Sequence, residues 1–357
     1  MTIEDVRDIL SGVMEPDLGK DLVTLGLYSD VELGPEGVKL TVKVSNAAMH
    51  ARERMREAVE FAFEKQGHKA EVKVEAIPQA DRTADTRKVL TGVKHIIAIA
   101  SGKGGVGKST VAANIAVELA RRGYDVGLVD ADVHGPSMPT MFDVVRERPG
   151  STEHGGRQLM VPVEAHGVKL LSIGFFADPE QAIVWRGPMA TKALKQMFSD
   201  THWGDLDYMI VDLPPGTGDV HLSLIGHVDL CGAVVVSTPQ DIALADAIKG
   251  VSMFKMDAVN VPVLGLIENM AYFTPPDLPD RKYHLFGRDG VKRFAESSGT
   301  PFLGELPLEQ TIREAGDVGR PVVLQGDTVA AKAMVAVVDA LEVQVSKLTE
   351  NEVTHHE

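Results

Sequence analysis

The chain has 357 residues, 44% hydrophobic and 24% charged, with 51 acidic against 36 basic side chains and a net charge of −15. That length and composition suit a globular chain with one large domain and a smaller one. Its negative charge disfavours nucleic acid and anionic lipid as partners, and no run approaches the roughly 20 unbroken apolar residues that span a bilayer. The N-terminal MTIEDVRDIL lacks the basic start and apolar run of a secretory signal, so a cytoplasmic protein is expected. An acidic excess of this size also suits a high-salt cytoplasm. The one cysteine, Cys231, rules out an internal disulfide and any cluster held by several thiolates of a single chain.

Residues 1–76 read as a small α+β domain. Ile3, Val6, Ile9, Leu10 and Val13 recur at helical spacing, and Gly34-Pro35-Glu36-Gly37 separates two strands of a hairpin. The second strand alternates Val38, Leu40, Val42 and Val44; a helix follows from about 47 to 66, then a strand with Val72 and Val74. Met49 and Met55 read as core filling. Residues 77–92, polar and without periodicity, read as a linker. From 93 to 348, apolar runs alternate with helix-sized segments: His95–Ala100, Val126–Val129, Val168–Ile173, Tyr208–Val211, Ala233–Val236 and Val263–Ile267. Such strands, apolar on both faces, predict an α/β domain built on a doubly wound, mostly parallel sheet. Val329 to Leu348 reads as a helix, and 349–357 as a polar tail.

The densest chemical signal is HIIAIASGKGGVGKSTVAANIAVELA, in which an apolar strand runs into Gly102-Lys103-Gly104-Gly105-Val106-Gly107-Lys108-Ser109-Thr110 and then into an amphipathic helix. This is the strand–loop–helix context of a phosphate-binding P-loop. Glycines let the backbone turn its N–H groups onto a pyrophosphate, and the helix N-terminus adds partial positive charge. Lys108 is expected to reach the β- and γ-phosphates of ATP, and Ser109 to give a hydroxyl to Mg²⁺. Two more carboxylates close apolar strands, where ligands of doubly wound sheets bind. Asp132, in Val129-Asp130-Ala131-Asp132, is the candidate to orient the attacking water. Asp212, ending Tyr208-Met209-Ile210-Val211-Asp212, is the candidate to hold Mg²⁺ through water.

A second lysine, Lys103, makes the loop resemble the deviant Walker A motif of the MinD, ParA and nitrogenase iron protein superfamily. That resemblance implies a homodimer in which Lys103 acts on the partner's nucleotide. DADVHGPSMP (130–139), VDLPPGTGDVHLSL (211–224), VVSTPQDIALADA (235–247) and GLIENMAYF (265–273) are similar to the Mrp family of ATPases, the ApbC-type iron–sulfur cluster carriers. EPDLGKDLVTLGL (15–27) resembles the small iron–sulfur assembly domain that heads many of them. The resemblance implies an ATPase acting with iron–sulfur assembly proteins or client apoproteins, with Gly216 in the second switch and Asn269 on the adenine edge.

The resemblance also implies a 4Fe–4S cluster, held by a CxxC after the ENMxYF string of each of two chains. Here those positions are Pro275 and Leu278, and neither can ligate iron. Asn46-Ala47-Ala48-Met49-His50 stands where relatives often carry a reactive cysteine. Cys231 reads as a small core residue. His284, His355 and His356 are poor substitutes for thiolates, and His134, His221 and His227 read as structural. No iron–sulfur ligand is identified. Three functions follow: a dimeric ATPase of iron–sulfur assembly, an ATP-switched scaffold or regulator without a cluster, and a MinD-like positioning ATPase. The last needs a basic amphipathic C-terminal helix, which the sequence lacks.

Overall fold

The computed structural model describes residues 1–34, 37–46, 48–77, 90, 92–133, 135–176, 187–257 and 259–354. The chain forms two compact units: Met1–Val89 with Gly218–Asp229 and Met256–Asn260, and the remainder.

In the smaller unit, α1 (Ile3–Ser11) starts at a reciprocal cap, the Thr2 hydroxyl accepting from the Asp5 amide while the Asp5 carboxylate accepts from the Thr2 amide. Short strands β1 (Met14–Glu15) and β2 (Lys20–Asp21) follow, then β3 (Tyr28–Gly34), β4 (Gly37–Val44), α2 (Met49–Glu64) and β5 (Ala70–Ala76). β4 pairs antiparallel with β3 and parallel with β5. Met55, Val59 and Phe63 recur every fourth residue of α2, so one stripe of the helix meets Val6 and Leu10 of α1 and Leu40 and Val42 of β4 in the core. Each such side chain contributes about 1.5–3 kcal/mol when fully buried. Met49 corrects the sequence reading: it opens α2 on the face away from that stripe and is 58% exposed, whereas Met55 is buried.

The larger unit holds an eight-stranded sheet. In chain order it comprises β6 (Val93–Ala100), α3 (Lys108–Arg121), β7 (Val126–Asp130), α4 (Met138–Met141), β8 (Gly150–His154), β9 (Arg157–Val161), β10 (Val163–Ala165), β11 (Val168–Ser172), α5 (Gly187–Ser199) and β12 (Leu206–Asp212). After α6 (Asp219–Ile225), which packs in the smaller unit, come β13 (Gly232–Ser237), α7 (Asp241–Phe254), β14 (Val263–Glu268), α8 (Gly290–Ser298), β15 (Phe302–Glu305), α9 (Gln310–Asp317) and α10 (Val329–Thr354). The order across the sheet is β10-β11-β7-β12-β6-β13-β14-β15, with every pair parallel except β10 with β11. β6, β7, β12 and β13 are central and buried on both faces, which explains their unbroken apolar runs. α10 continues past Leu348 to Thr354, so helix occupies most of the segment read as a polar tail. No described helix is long and apolar enough to cross a membrane.

Candidate functional site

The site lies at the C-terminal ends of β6, β7, β12 and β14, where parallel strands release their loops. β6 is fixed between β12 and β13, so the loop after it starts from the centre of the sheet. Ser101 Oγ donates to the Lys103 carbonyl at 3.0 Å, tightening the first turn. Gly105 and Gly107 have φ of +80° and +84°, the left-handed region that side chains avoid. Gly107 is doubly constrained, because a Cβ there would run into the Asn269 amide. Gly107→Ala is expected to destabilise the fold by at least about 1–3 kcal/mol and to weaken ATP binding in parallel; denaturant unfolding and nucleotide titration check both.

α3 begins at Lys108, whose side chain is 5% exposed. It donates to Asp212 Oδ1 at 2.6 Å and to Ser109 Oγ at 3.2 Å, and lies 3.8 Å from Asp132 Oδ2. The sheet register makes this convergence possible: Asp212 pairs with Ile99 of β6 on one side and with Asp130 of β7 on the other. Four residues singled out in the sequence, Lys108, Ser109, Asp132 and Asp212, therefore form one cluster. Gly216, with φ of +100°, donates its amide to the Ser101 carbonyl at 2.9 Å, which ties the loop after β12 to the P-loop. Lys103, in the same loop, is exposed.

Asn269 follows β14 and is buried; its amide nitrogen donates to the Val106 carbonyl at 2.8 Å and its backbone amide to Ser237 O. It braces the P-loop, a role its position in the sequence did not suggest. An amide side chain carries two N–H donors and an acceptor, so this bond leaves capacity for a base edge.

Asp130 is the functional residue that sequence reasoning passed over. It is fully buried, accepting from the Asp132 and Met138 amides and from Ser172 Oγ at 2.8 Å. It thereby sets the path of the loop that carries Asp132. The Asp-Ala-Asp string held the signal, since a carboxylate that ends a central strand needs several donors there. Burial, then the neighbouring Asp212 charge, push Asp130 up to about 7. Burial also raises Asp212, with the Lys108 ammonium opposing it.

A carboxyl whose folded value is raised binds its proton more tightly in the native state, so it stabilises most below its ordinary value of 3.8 and loses that contribution as pH rises towards 7. The expected result is that Asp130→Asn flattens the fall in stability between about pH 4 and 7 relative to the parent, as measured by denaturant unfolding in chelator.

The fit of Mg²⁺ rests on a particular atom. Asp212 Oδ2 is buried without a hydrogen-bond partner. A buried unpaired carboxylate oxygen is costly, and a hydrated divalent cation beside Ser109 would satisfy it. A protein-held iron–sulfur cluster does not fit. Pro275 and Leu278 close a turn through Leu278 N to Pro275 O at 3.0 Å, and among the described residues no group of three or more His, Cys, Asp or Glu could hold a metal. Cys231 is partly buried at the entry to β13, its amide donating to Ile96 O. His221 and His227 are buried in the smaller unit, and His284 Nδ1 lies 3.0 Å from the Ala271 carbonyl. His134, His355 and His356 lie outside the described residues.

Residues 92–342 match the family model of the ParA group described as NUBPL iron-transfer P-loop NTPase. The chain belongs to this family. Residues 3–76 match a second model, iron–sulfur cluster assembly protein. Among its relatives, the iron–sulfur cluster carrier protein of Synechocystis sp. is 43% identical over 349 residues, covering 97% of this chain and 98% of that one. The iron–sulfur cluster carrier protein of Aquifex aeolicus is 52% identical over 258 residues, covering 72% of this chain and 69% of that one. A solved nucleotide-binding protein in complex with ADP from Archaeoglobus fulgidus is similar at 33% identity and a TM-score of 0.58, over 67% of this chain and 90% of that one. These matches agree with the Mrp resemblance and with the α/β class read from the sequence.

Proposed function

We propose that this chain is a Mg-ATP-dependent, ATP-hydrolysing switch that works as a homodimer in the transfer of iron–sulfur clusters to client apoproteins. Residues 93–348 act as its ATPase domain and residues 1–76 as an assembly-type domain. The observation that carries the reading is the convergence of Lys108, Ser109 and the half-satisfied Asp212 carboxylate beneath a glycine loop that opens a helix.

In this reading the amides of Gly102 to Thr110 hold the phosphates, and Lys108 takes the β- and γ-oxygens. Ser109 holds Mg²⁺ directly and Asp212 holds it through water; the ion supplies charge neutralisation on the phosphates. Asp132, buried beside Lys108, orients the attacking water. Asn269 reads the adenine edge while bracing Val106. Lys103 is exposed, as a residue that acts on the partner's nucleotide must be.

The cluster is cargo, and its ligands are not supplied as a cysteine pair by this chain. A second reading, an ATP-switched scaffold or regulator, is favoured by that one observation: Pro275 and Leu278 stand where the resemblance places thiolates. Phosphate release and light scattering with and without Mg²⁺ test the ATPase. The expected result is turnover and dimer formation that both vanish in chelator; turnover indifferent to Mg²⁺ would overturn the assignment of Ser109 and Asp212.

A further inference from the structure

Ser172 ends β11, and the sheet register puts it in a row of polar residues at one end of three adjacent strands. It pairs with Asp130 of β7, and Asp130 pairs with Asp212 of β12. Ser172 is fully buried, where a hydroxyl is costly unless it finds partners. Its Oγ accepts from the Gly174 amide at 3.0 Å and donates to Asp130 Oδ2 at 2.8 Å. A hydroxyl has a single hydrogen, and here it is directed at a carboxylate, the stronger kind of acceptor.

Asp130 staples the loop that carries Asp132. Its Oδ1 accepts from Asp132 N at 3.3 Å near the start of the loop, and its Oδ2 from Met138 N at 3.1 Å, where the loop runs into α4. Both of those donors belong to the loop and move with it, so they do not set the direction of the carboxylate relative to the sheet. Of the described donors to Asp130, Ser172 is the one that comes from another strand. The residues after β11 also press on the same loop: a Cβ on Gly174 would lie 3.0 Å from Pro136 Cβ and 3.2 Å from both Pro136 Cγ and Ser172 Oγ. On the opposite flank Ala131 N donates to Asp212 O at 3.0 Å. The loop is thus held from both neighbouring strands, with Asp132 Oδ2 3.8 Å from Lys108 Nζ.

We propose that Ser172 is a positioning residue for ATP hydrolysis: by fixing the Asp130 carboxylate, it holds Asp132 where the attacking water is oriented. This role rests on the ATPase reading above, with Asp132 as the residue that orients water. The described side-chain bonds of Ser172 run to Asp130 and Gly174 and not to the phosphate loop, so its truncation separates hydrolysis from binding.

Phosphate release at saturating Mg-ATP and isothermal titration of ATP, both on the full chain, test the proposal with Ser172→Ala. Turnover should fall by about tenfold or more, since a small misplacement of a reacting group costs up to about a hundredfold. The Kd for ATP should stay within about twofold, the pattern of a group that acts in the transition state alone. A general support of the fold would not give a further expected result: added to Asp132→Ala, Ser172→Ala should cost no more turnover, because residues that act as a unit are not additive. Gly174→Ala, which crowds Pro136 and Ser172 without deleting a bond, makes the same test if Ser172→Ala does not fold. Undiminished turnover in the folded variant, losses that multiply in the double variant, or an affinity loss as large as the turnover loss would overturn the role of Ser172 and leave the ATPase reading intact. A folded parent without turnover would remove the ATPase reading, and Asp132→Ala at the parental rate would remove the role of Asp132; the proposal falls with either.

Discussion

Lys108→Ala is expected to weaken ATP binding by at least about a hundredfold, the loss of one charge-assisted phosphate contact worth roughly 3 kcal/mol. The same substitution should destabilise the nucleotide-free fold by about 3–5 kcal/mol, because it leaves the fully buried Asp212 without its cation next to Asp130. The two effects have one structural cause but separate readouts, isothermal titration for the first and denaturant unfolding for the second. The stability loss should also grow with pH. Burial already raises both carboxyls, and removing Lys108 raises them further, so the native state holds protons that the unfolded state releases and stability falls as pH rises. Unchanged ATP affinity would contradict the assignment of the loop.

Lys103→Ala is expected to behave in the opposite way. Lys103 is exposed, so its truncation should leave fold stability within about 0.5 kcal/mol and ATP affinity within about twofold, far less than one full charge-assisted contact is worth. ATP-dependent dimerisation should be lost, and turnover should fall by at least about a hundredfold, since a cation supplied across an interface to a transferring phosphoryl group accounts for a factor of 10³ or more in related chemistry. Light scattering and phosphate release at saturating Mg-ATP separate these outcomes. Full dimerisation and turnover in the variant would make Lys103 an ordinary surface lysine. The contrast between the two lysines, five positions apart, is the sharpest available probe of the site, because only one of them is braced by buried carboxylates.

Strands buried on both faces were legible in the sequence because nothing in their cores alternates: Val126–Val129, Tyr208–Val211 and Ala233–Val236 are unbroken by a charged residue and lie at the centre of the sheet. The hairpin β8–β9 was not read from the sequence. Its strands are largely exposed and polar, so hydrophobic period carries no information there; the signal was the turn itself, Gly155-Gly156, with φ of 58° and 75°. β15 is four residues long at the sheet edge, too short for a pattern. Lys108, Ser109 and Asp212 were readable because each type at each spacing is demanded by phosphate and metal chemistry. Asp130 and the bracing role of Asn269 were not, because both act through backbone partners that only the register of β7 with β12 and the approach of β14 bring within reach.

Pro275 and Leu278, where the resemblance places cysteines, bear on the proposed function. Relatives of this chain are named as cluster carriers, yet one thiol per chain cannot surround an iron–sulfur cluster, and a dimer would supply only two. The P-loop residues Lys108 and Ser109, by contrast, lie together with Asp132 and Asp212. The proposed function therefore joins an ATP switch to cargo handling that does not pass through a cysteine pair of its own.

Iron and acid-labile sulfide per chain after anaerobic reconstitution, with Mg-dependent ATP turnover recorded on the same sample, test that union most directly. The account predicts an active ATPase with no stoichiometric 4Fe–4S cluster; a full cluster on the chain, or protein that is folded but hydrolyses no ATP, would contradict it.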